Sequence, residues 1–230
     1  MLILTGAGIS AESGLDTFRA QEGLWEKHPI EQVATPEGFA ADPALVNRFY
    51  NERRRSLGNV EPNTAHYALM KLEEQLQDTF CLITQNVDDL HERAGNRRVL
   101  HMHGSLRKSM CQYCQSRENC NGDIRVTDSC SRCGKSGGMR PDIVWFGEIP
   151  YHMDEIYRKL QNCNYFAAIG TSSNVYPAAG FVRDAQKHGA ECFEVNMETT
   201  PMSRYFQRGF YGQASVQVPL FVENIMGVLT

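Results

Sequence analysis

Long hydrophobic runs are missing from this 230-residue chain: its longest unbroken apolar stretch covers residues 165–169. A bilayer-crossing helix needs about 20 such residues, so no membrane partner is expected. Excess charge is missing too. The 23 Lys+Arg against 27 Asp+Glu give a formal net charge of −4, and a mildly acidic chain is not built to hold a phosphate backbone over its surface. Residues 1–4 are apolar but stop at Thr5-Gly6 with no basic lead, which does not read as an export signal and points to the cytoplasm. Repeats and low-complexity tracts are absent. With 42% hydrophobic and 22% charged residues, disorder and collagen-like structure are excluded, and one large domain with insertions can bury a full core.

Cysteine, by contrast, is plentiful. Of the eight, five fall between Cys111 and Cys133, whereas a disulfide scaffold would spread them through a small exported chain. Cys111-x2-Cys114-x15-Cys130-x2-Cys133 is the spacing of two zinc knuckles. Four thiolates fill a tetrahedral site and leave no open position, so one structural Zn2+ per chain is expected. Cys120 is a spare, and Cys81, Cys163 and Cys192 stand in or beside apolar segments as candidate core thiols. Zinc ribbons often touch nucleic acid. Residues 107–142 carry seven Lys/Arg against four Asp/Glu but one Tyr and neither Phe nor Trp, a poor platform for stacking bases, so composition speaks against direct nucleic-acid binding.

Short apolar runs at 2–4, 80–84, 99–103, 166–169, 192–195 and 216–218 read as strands, separated by helical stripes such as Ala65, Leu69, Leu72 and Leu76. Strands without clean alternation predict an α/β fold with a Rossmann-type parallel sheet covered on both faces. The pattern breaks twice. It predicts a large domain from residues 1–20, 59–106 and 143–230, with a helical module at 21–58 and a zinc-binding module at 107–142 as a smaller lobe. Several strands end in polar groups: Thr5-Gly6, Thr84-Gln85-Asn86, His101-Met102-His103, Gly170-Thr171-Ser172 and Asn196. In open α/β sheets ligands bind beyond such ends, so a crevice is expected there.

Gly6-x-Gly8-x-x-Ala11 fits a dinucleotide fingerprint, in which glycines allow a tight turn and let backbone N–H groups meet a pyrophosphate. The usual acidic ribose partner about 20 residues on is absent. That is not an ordinary dehydrogenase layout. His101 and His103, two apart on a strand, share a face, and either is a candidate general base. Spacing alone does not choose between them. Asn86 and Asp88 are equally readable as site residues or as a turn opening the next helix.

Taken together, several motifs resemble, in order, those of the sirtuin family of NAD-dependent protein deacylases, in its bacterial CobB-like, class III (desuccinylase-type) branch. They are Gly6-Ala7-Gly8-Ile9-Ser10, the run Ser13 to Arg19, Gln85-Asn86-Val87-Asp88, His103-Gly104-Ser105, the paired CxxC, Asp142 to Glu148, and Gly170-Thr171-Ser172. Departures are Asp16-Thr17 before Phe18, and Trp145 where Phe is usual. The resemblance implies a Rossmann-type domain with a zinc-ribbon and helical lobe. It also implies a reaction in which the acyl-lysine carbonyl oxygen attacks the nicotinamide ribose. A base then activates a ribose hydroxyl, giving free lysine and O-acyl-ADP-ribose.

The family places the base directly before Gly-Ser, which selects His103, with Asn86 beside it as the second catalytic residue. It implies that NAD is held by Gly6, Ala7, Gly8, Gln85, Asn86, Asp88, Gly170, Thr171, Ser172, Asn196, Met197 and Ala214, with Phe18 and Arg19 covering the reacting centre. Val144 and Phe146 would pair with an acylated-lysine protein substrate bound as an extended peptide. On a helix capped by Asp42-Pro43, Tyr50-x-x-Arg53 with Ala34 upstream resembles the motif that receives negatively charged acyl groups, so succinyl as well as acetyl is expected. A protein mono-ADP-ribosyltransferase using the same NAD site is the alternative.

Overall fold

A computed structural model describes residues 1–15 and 29–229. The sheet strands are β1 (Leu2–Thr5), β2 (Cys81–Thr84) and β3 (Val99–His101), then, past the second lobe, β7 (Tyr165–Ile169), β8 (Glu191–Asn196) and β9 (Arg208–Tyr211). They form one six-stranded sheet in the order β3-β2-β1-β7-β8-β9, and every pairing in it is parallel. The order reverses between β1 and β7, which opens the crevice at their carboxyl ends.

Both faces are apolar because alternate residues point to opposite sides. Leu2 and Leu4, Cys81 and Ile83, and Phe166 and Ala168 pack with α6 (Met153–Asn162) and α7 (Phe181–Lys187). Ile3, Leu82, Ala167 and Ile169 pack with α4 (Thr64–Leu76) and α8 (Ala214–Leu229).

Two expected strands need correction. Residues 216–218 lie in α8, where Val218, Phe221, Val222 and Ile225 recur at helical spacing and bury against the sheet. Pro219 removes an amide inside this helix, and the Ser215 carbonyl that would have accepted it takes the Thr64 hydroxyl instead, at 2.6 Å. The sixth strand is β9, too short and exposed to show alternation. The run at 99–103 also splits. β3 ends at His101, Met102 and His103 turn, and Gly104 opens the next strand. Gly104 has φ +84°, and a Cβ there would stand 2.0 Å from the Asp142 carbonyl oxygen, so only glycine lets the chain change sheets at this point.

The second sheet is antiparallel, in the order β5-β4-β6, from β4 (Gly104–Cys111), β5 (Arg117–Asn119) and β6 (Met139–Ile143). Beside it lie α1 (Ile30–Val33), α2 (Pro36–Ala41) and α3 (Pro43–Ser56), while α5 (Leu90–Ala94) follows β2. α3 starts as its sequence requires. The Asp42 side chain accepts from the Leu45 amide at 2.8 Å and Pro43 takes the first turn, where its missing N–H costs nothing. Val33, Phe39, Val46, Phe49, Leu106 and Trp145 form a core separate from the sheet's.

Candidate active site

At the sheet edge the glycine turn does something other than expected. The Gly6 amide donates to Ile169 O at 2.9 Å and the Gly8 amide to Gly170 O at 2.8 Å. A Cβ on either glycine would come within 2.8 Å of the Gly170 backbone. The glycines thus serve the close approach of two loops, and their N–H groups are committed to the fold. Ala7, between them, is the amide of this turn that meets no acceptor among the described residues. It is the one placed to meet an anion.

Around this turn opens a cleft of about 800 Å³, within the ~300–1,000 Å³ usual for cofactor sites. It gathers Gly6, Ala7, Gly8, Gln85, Asn86, His103, Gly170, Thr171, Ser172, Asn196 and Met197 on the sheet side. Ala34, Tyr50, Arg53, Val144 and Phe146 line it from the small lobe. Asp88 does not line it. The carboxylate is buried behind the wall, accepting from Ser10 Oγ at 3.1 Å and the Leu90 amide at 3.1 Å, and burial raises its pKa. Ala214 starts α8 away from the cleft lining. Phe18 and Arg19 lie outside the described residues.

The two histidines part company. His101 puts Nε2 2.6 Å from Glu92 Oε1 and Nδ1 3.2 Å from Asn86 O, two acceptors that call for a proton on each nitrogen. Burial pulls its pKa down, but the bond and charge of Glu92 outweigh that, and the net shift is upward. His103 has one such partner, Gln85 O at 3.1 Å from Nδ1, and burial lowers its pKa against that bond. Its Nδ1 carries the proton and Nε2 keeps a lone pair. Asn86 is oriented by Nδ2 bonds to Gly6 O and Ser10 Oγ, both at 3.2 Å. Ser10 Oγ also meets His66, which burial pushes down to about 4 and so holds neutral. Ser10 stands in the glycine motif without a role of its own there, and nothing in the sequence marks His66. Asn196 ties two strand ends together, donating to Thr171 O at 2.7 Å, and Gln85 Nε2 donates to Thr171 Oγ1 at 3.0 Å.

Across the cleft, Tyr50 is fully buried in the wall, and burial raises its pKa to about 12. Its hydroxyl oxygen accepts from Trp145 Nε1 at 3.1 Å. The Arg53 guanidinium, one turn on, lies 5.5 Å from the centre of the Phe49 ring. The amides of Val144 and Phe146 are both used internally, on His103 O and Ala34 O at 3.0 Å each. A peptide strand added here would have to be met by their carbonyls.

The sulfurs of Cys111, Cys114, Cys130 and Cys133 lie within 4.8 Å of one another, with contacts of 3.8 and 3.6 Å. Four thiolates about 2.3 Å from a tetrahedral zinc would stand about 3.8 Å apart, so the set fits the metal. Each knuckle closes on a left-handed residue, Gln115 at φ +59° and Gly134 at φ +73°, whose amides bond back to Cys111 O and Cys130 O. Cys120 Sγ turns instead to Gly122 O at 3.4 Å.

The fold and cleft define an α/β nucleotide-binding enzyme with an appended four-cysteine module. The Sir2 family model matches residues 6–177. NAD-dependent protein deacylases from Vibrio vulnificus (strain YJ016) and Bdellovibrio bacteriovorus are 53% and 54% identical, over 100% and 98% of this chain and 94% and 96% of theirs. A Sir2 homologue solved with NAD superposes with a TM-score of 0.89 at 37% identity, covering 100% of this chain and 90% of that one. A Sir2 protein solved with deacetylated p53 peptide and 3′-O-acetyl ADP-ribose gives 0.81 at 29% identity, covering 99% and 92%. The chain belongs to the Sir2 family. Its cofactor is NAD, and its four-cysteine cluster fits a structural zinc.

Proposed function

We infer that the chain removes acyl groups, acetyl and succinyl, from protein lysines at the expense of NAD, releasing nicotinamide and O-acyl-ADP-ribose. His103 carries the reading. A ring on the cleft wall with its Nδ1 proton held by Gln85 O, and with its pKa lowered, is neutral near pH 7 and has Nε2 free to take a proton. NAD supplies an electrophilic ribose carbon and a hydroxyl for that base. The chain's own groups do the rest. The Ala7 amide receives phosphate, and Asn86, fixed by Gly6 O and Ser10, orients the ribose. Thr171, Ser172, Asn196 and Met197 hold the adenosine end, and Phe18 and Arg19 exclude water; Asp88, buried behind the wall, acts on the site through Ser10, and Ala214 stands off the lining. Gly6, Gly8 and Gly170 let the two loops close, and Gln85 fixes both His103 and Thr171.

The acyl end is formed by Ala34, Tyr50 and Arg53. Arg53 offers a fork to a terminal carboxylate, Tyr50 adds a hydroxyl, and Ala34 leaves room for the longer chain. An extended peptide crosses the mouth at Val144 and Phe146. The chain is read as a large domain of residues 1–20, 59–106 and 143–230 with modules at 21–58 and 107–142; the zinc module's own cluster supports this, while the helical module's core also takes in Val87, Leu106, Ile143 and Trp145. Thiolates that bind zinc must stay reduced, which favours the cytoplasm, and no helix among the described residues is long and apolar enough to cross a membrane. Direct nucleic-acid binding plays no part in the reading.

The test follows a label in the adenylate of NAD, supplied with acetyl- and succinyl-lysine peptides. The label should leave as O-acyl-ADP-ribose with both. Label retained on protein would make the chain an ADP-ribosyltransferase.

A further inference from the structure

Trp145, where the family resemblance leads one to expect Phe, sits between the two lobes' chemistry. Its indole Nε1–H donates to Tyr50 Oη at 3.1 Å, and both side chains are buried, Trp145 at 2% and Tyr50 at 4% exposure. The Arg140 guanidinium lies over the indole with its carbon 3.6 Å from the ring centre. Arg140 is itself fixed by paired bonds to Glu148, at 2.9 and 2.8 Å, and by Ile143 O at 2.9 Å. Phe39 packs against the same indole at 5.4 Å. The ring therefore cannot turn without breaking several contacts.

A phenol has one proton and two lone pairs. When an N–H fills one lone pair, the O–H has to point elsewhere. Tyr50 lines the cleft beside Arg53, and no acceptor for its O–H stands among the described residues. A cation over an indole face draws electron density from the ring and makes its N–H a stronger donor, and donors in series polarise one another. Arg140, Trp145 and Tyr50 form such a series, and it ends at the acyl pocket.

We propose that Trp145 is a positioning residue for acyl-group choice: by donating to Tyr50 Oη it turns the Tyr50 hydroxyl proton toward the terminal carboxylate of a succinyl group. This rests on the reading of Tyr50 and Arg53 as the succinyl subsite. An acetyl group ends in a methyl and gains nothing from that proton. Trp145 therefore acts on the ratio of the two activities, through Tyr50.

The experiment measures kcat/KM on succinyl- and acetyl-lysine peptides for the zinc-loaded protein and for Trp145→Phe, Tyr50→Phe and the double variant. A second replacement of Trp145, by benzothienylalanine, keeps the shape and removes only the N–H. Loss of one such bond should lower the succinyl-to-acetyl ratio roughly 3- to 10-fold for both Trp145 replacements. In the Tyr50→Phe background the Trp145 change should leave the ratio where it was. Equal losses on both substrates, or an undiminished effect without the Tyr50 hydroxyl, would overturn the proposal. Arg53→Met separates the two failures. If it cuts succinyl activity selectively while benzothienylalanine does not, Trp145 is only packing. If it shows no selectivity, the succinyl subsite itself is wrong and this proposal falls with it.

Discussion

The sheet and the small lobe border one cleft but are held by different forces. The sheet buries alternate apolar residues on two faces, Leu2 and Phe166 on one and Ile3 and Ala167 on the other. The four-cysteine module's own apolar cluster is small, built on Cys111, Ile124, Cys130 and Met139. What it lacks in apolar area it recovers from metal and from α3. Asn51 donates to Ile124 O and accepts from the Ile124 amide, both at 2.9 Å, and Asn47 donates to Met139 O at 3.2 Å. Arg54, 2% exposed, bonds Leu106 O at 2.6 Å and Asn51 Oδ1 at 2.7 Å. Residues 47, 51 and 54 thus face the zinc module, and Val46, Tyr50 and Arg53 lie on a neighbouring strip of the helix. One helix joins the metal to the acyl end of the cleft. The sheet edge, with Gly6, Gln85 and His103, does not depend on it.

Removing zinc should have the largest effect. Structural zinc contributes about 10–16 kcal/mol in small modules, more than the lobe can replace. Chelation or Cys130→Ala should abolish deacylation while NAD binding by calorimetry and most sheet signal in circular dichroism persist. Metal release should count about one zinc per chain. Loss of NAD binding in step with the metal would break the distinction between the two regions.

On the sheet side, His103→Ala should lower kcat by about 10²–10⁴-fold with NAD affinity retained. His101→Ala, which removes a residue paired with Glu92, should cost far less. Because the base works unprotonated and its pKa lies below the ordinary value of 6.5, kcat/KM should be flat at neutral pH and fall only in acid below that value. A reversed ranking of the two histidines would contradict their hydrogen bonding.

Arg53→Met should lower kcat/KM on succinyl-lysine roughly 10–150-fold, the loss of a charge-assisted contact of about 1.5–3 kcal/mol, and leave acetyl-lysine within a few-fold. Asn51→Ala is the mildest test. Leaving the Ile124 amide and carbonyl without partners should cost about 1–3 kcal/mol in urea unfolding of the zinc-loaded protein. The same change should raise sensitivity to chelators. An unchanged chelation midpoint would uncouple α3 from the metal.

The elements legible in the sequence are those with a local signature. The first strand and its glycine turn, the two CxxC knuckles and the Asp42-Pro43 helix start each rest on residues a few positions apart. β9 and the start of α8 were not legible, because Val216 and Val218 alternate like a strand until Phe221 and Ile225 meet the sheet. His103 was expected on a strand and stands in a turn, where its Nδ1 finds a carbonyl from another loop. The glycine amides, read in the sequence as open to a phosphate, are bonded to Ile169 O at the end of β7 and to Gly170 O just beyond it, partners more than 160 residues away. The Trp145–Tyr50 bond spans 95 residues and leaves no periodicity to read. Arg54 is buried and bonded to the Leu106 and Gly122 carbonyls and to Asn51 Oδ1, partners that only the fold brings near.

The most direct test of the whole reading is a product balance. The zinc-loaded protein is given NAD and a succinyl-lysine peptide, and nicotinamide, free-lysine peptide and the ADP-ribose product are quantified together by mass spectrometry. Deacylation at this cleft requires the three to appear in equal amounts, with the succinyl group on ADP-ribose and nothing released when the peptide is omitted. Nicotinamide formed without deacylated peptide, or ADP-ribose recovered on protein, would contradict it.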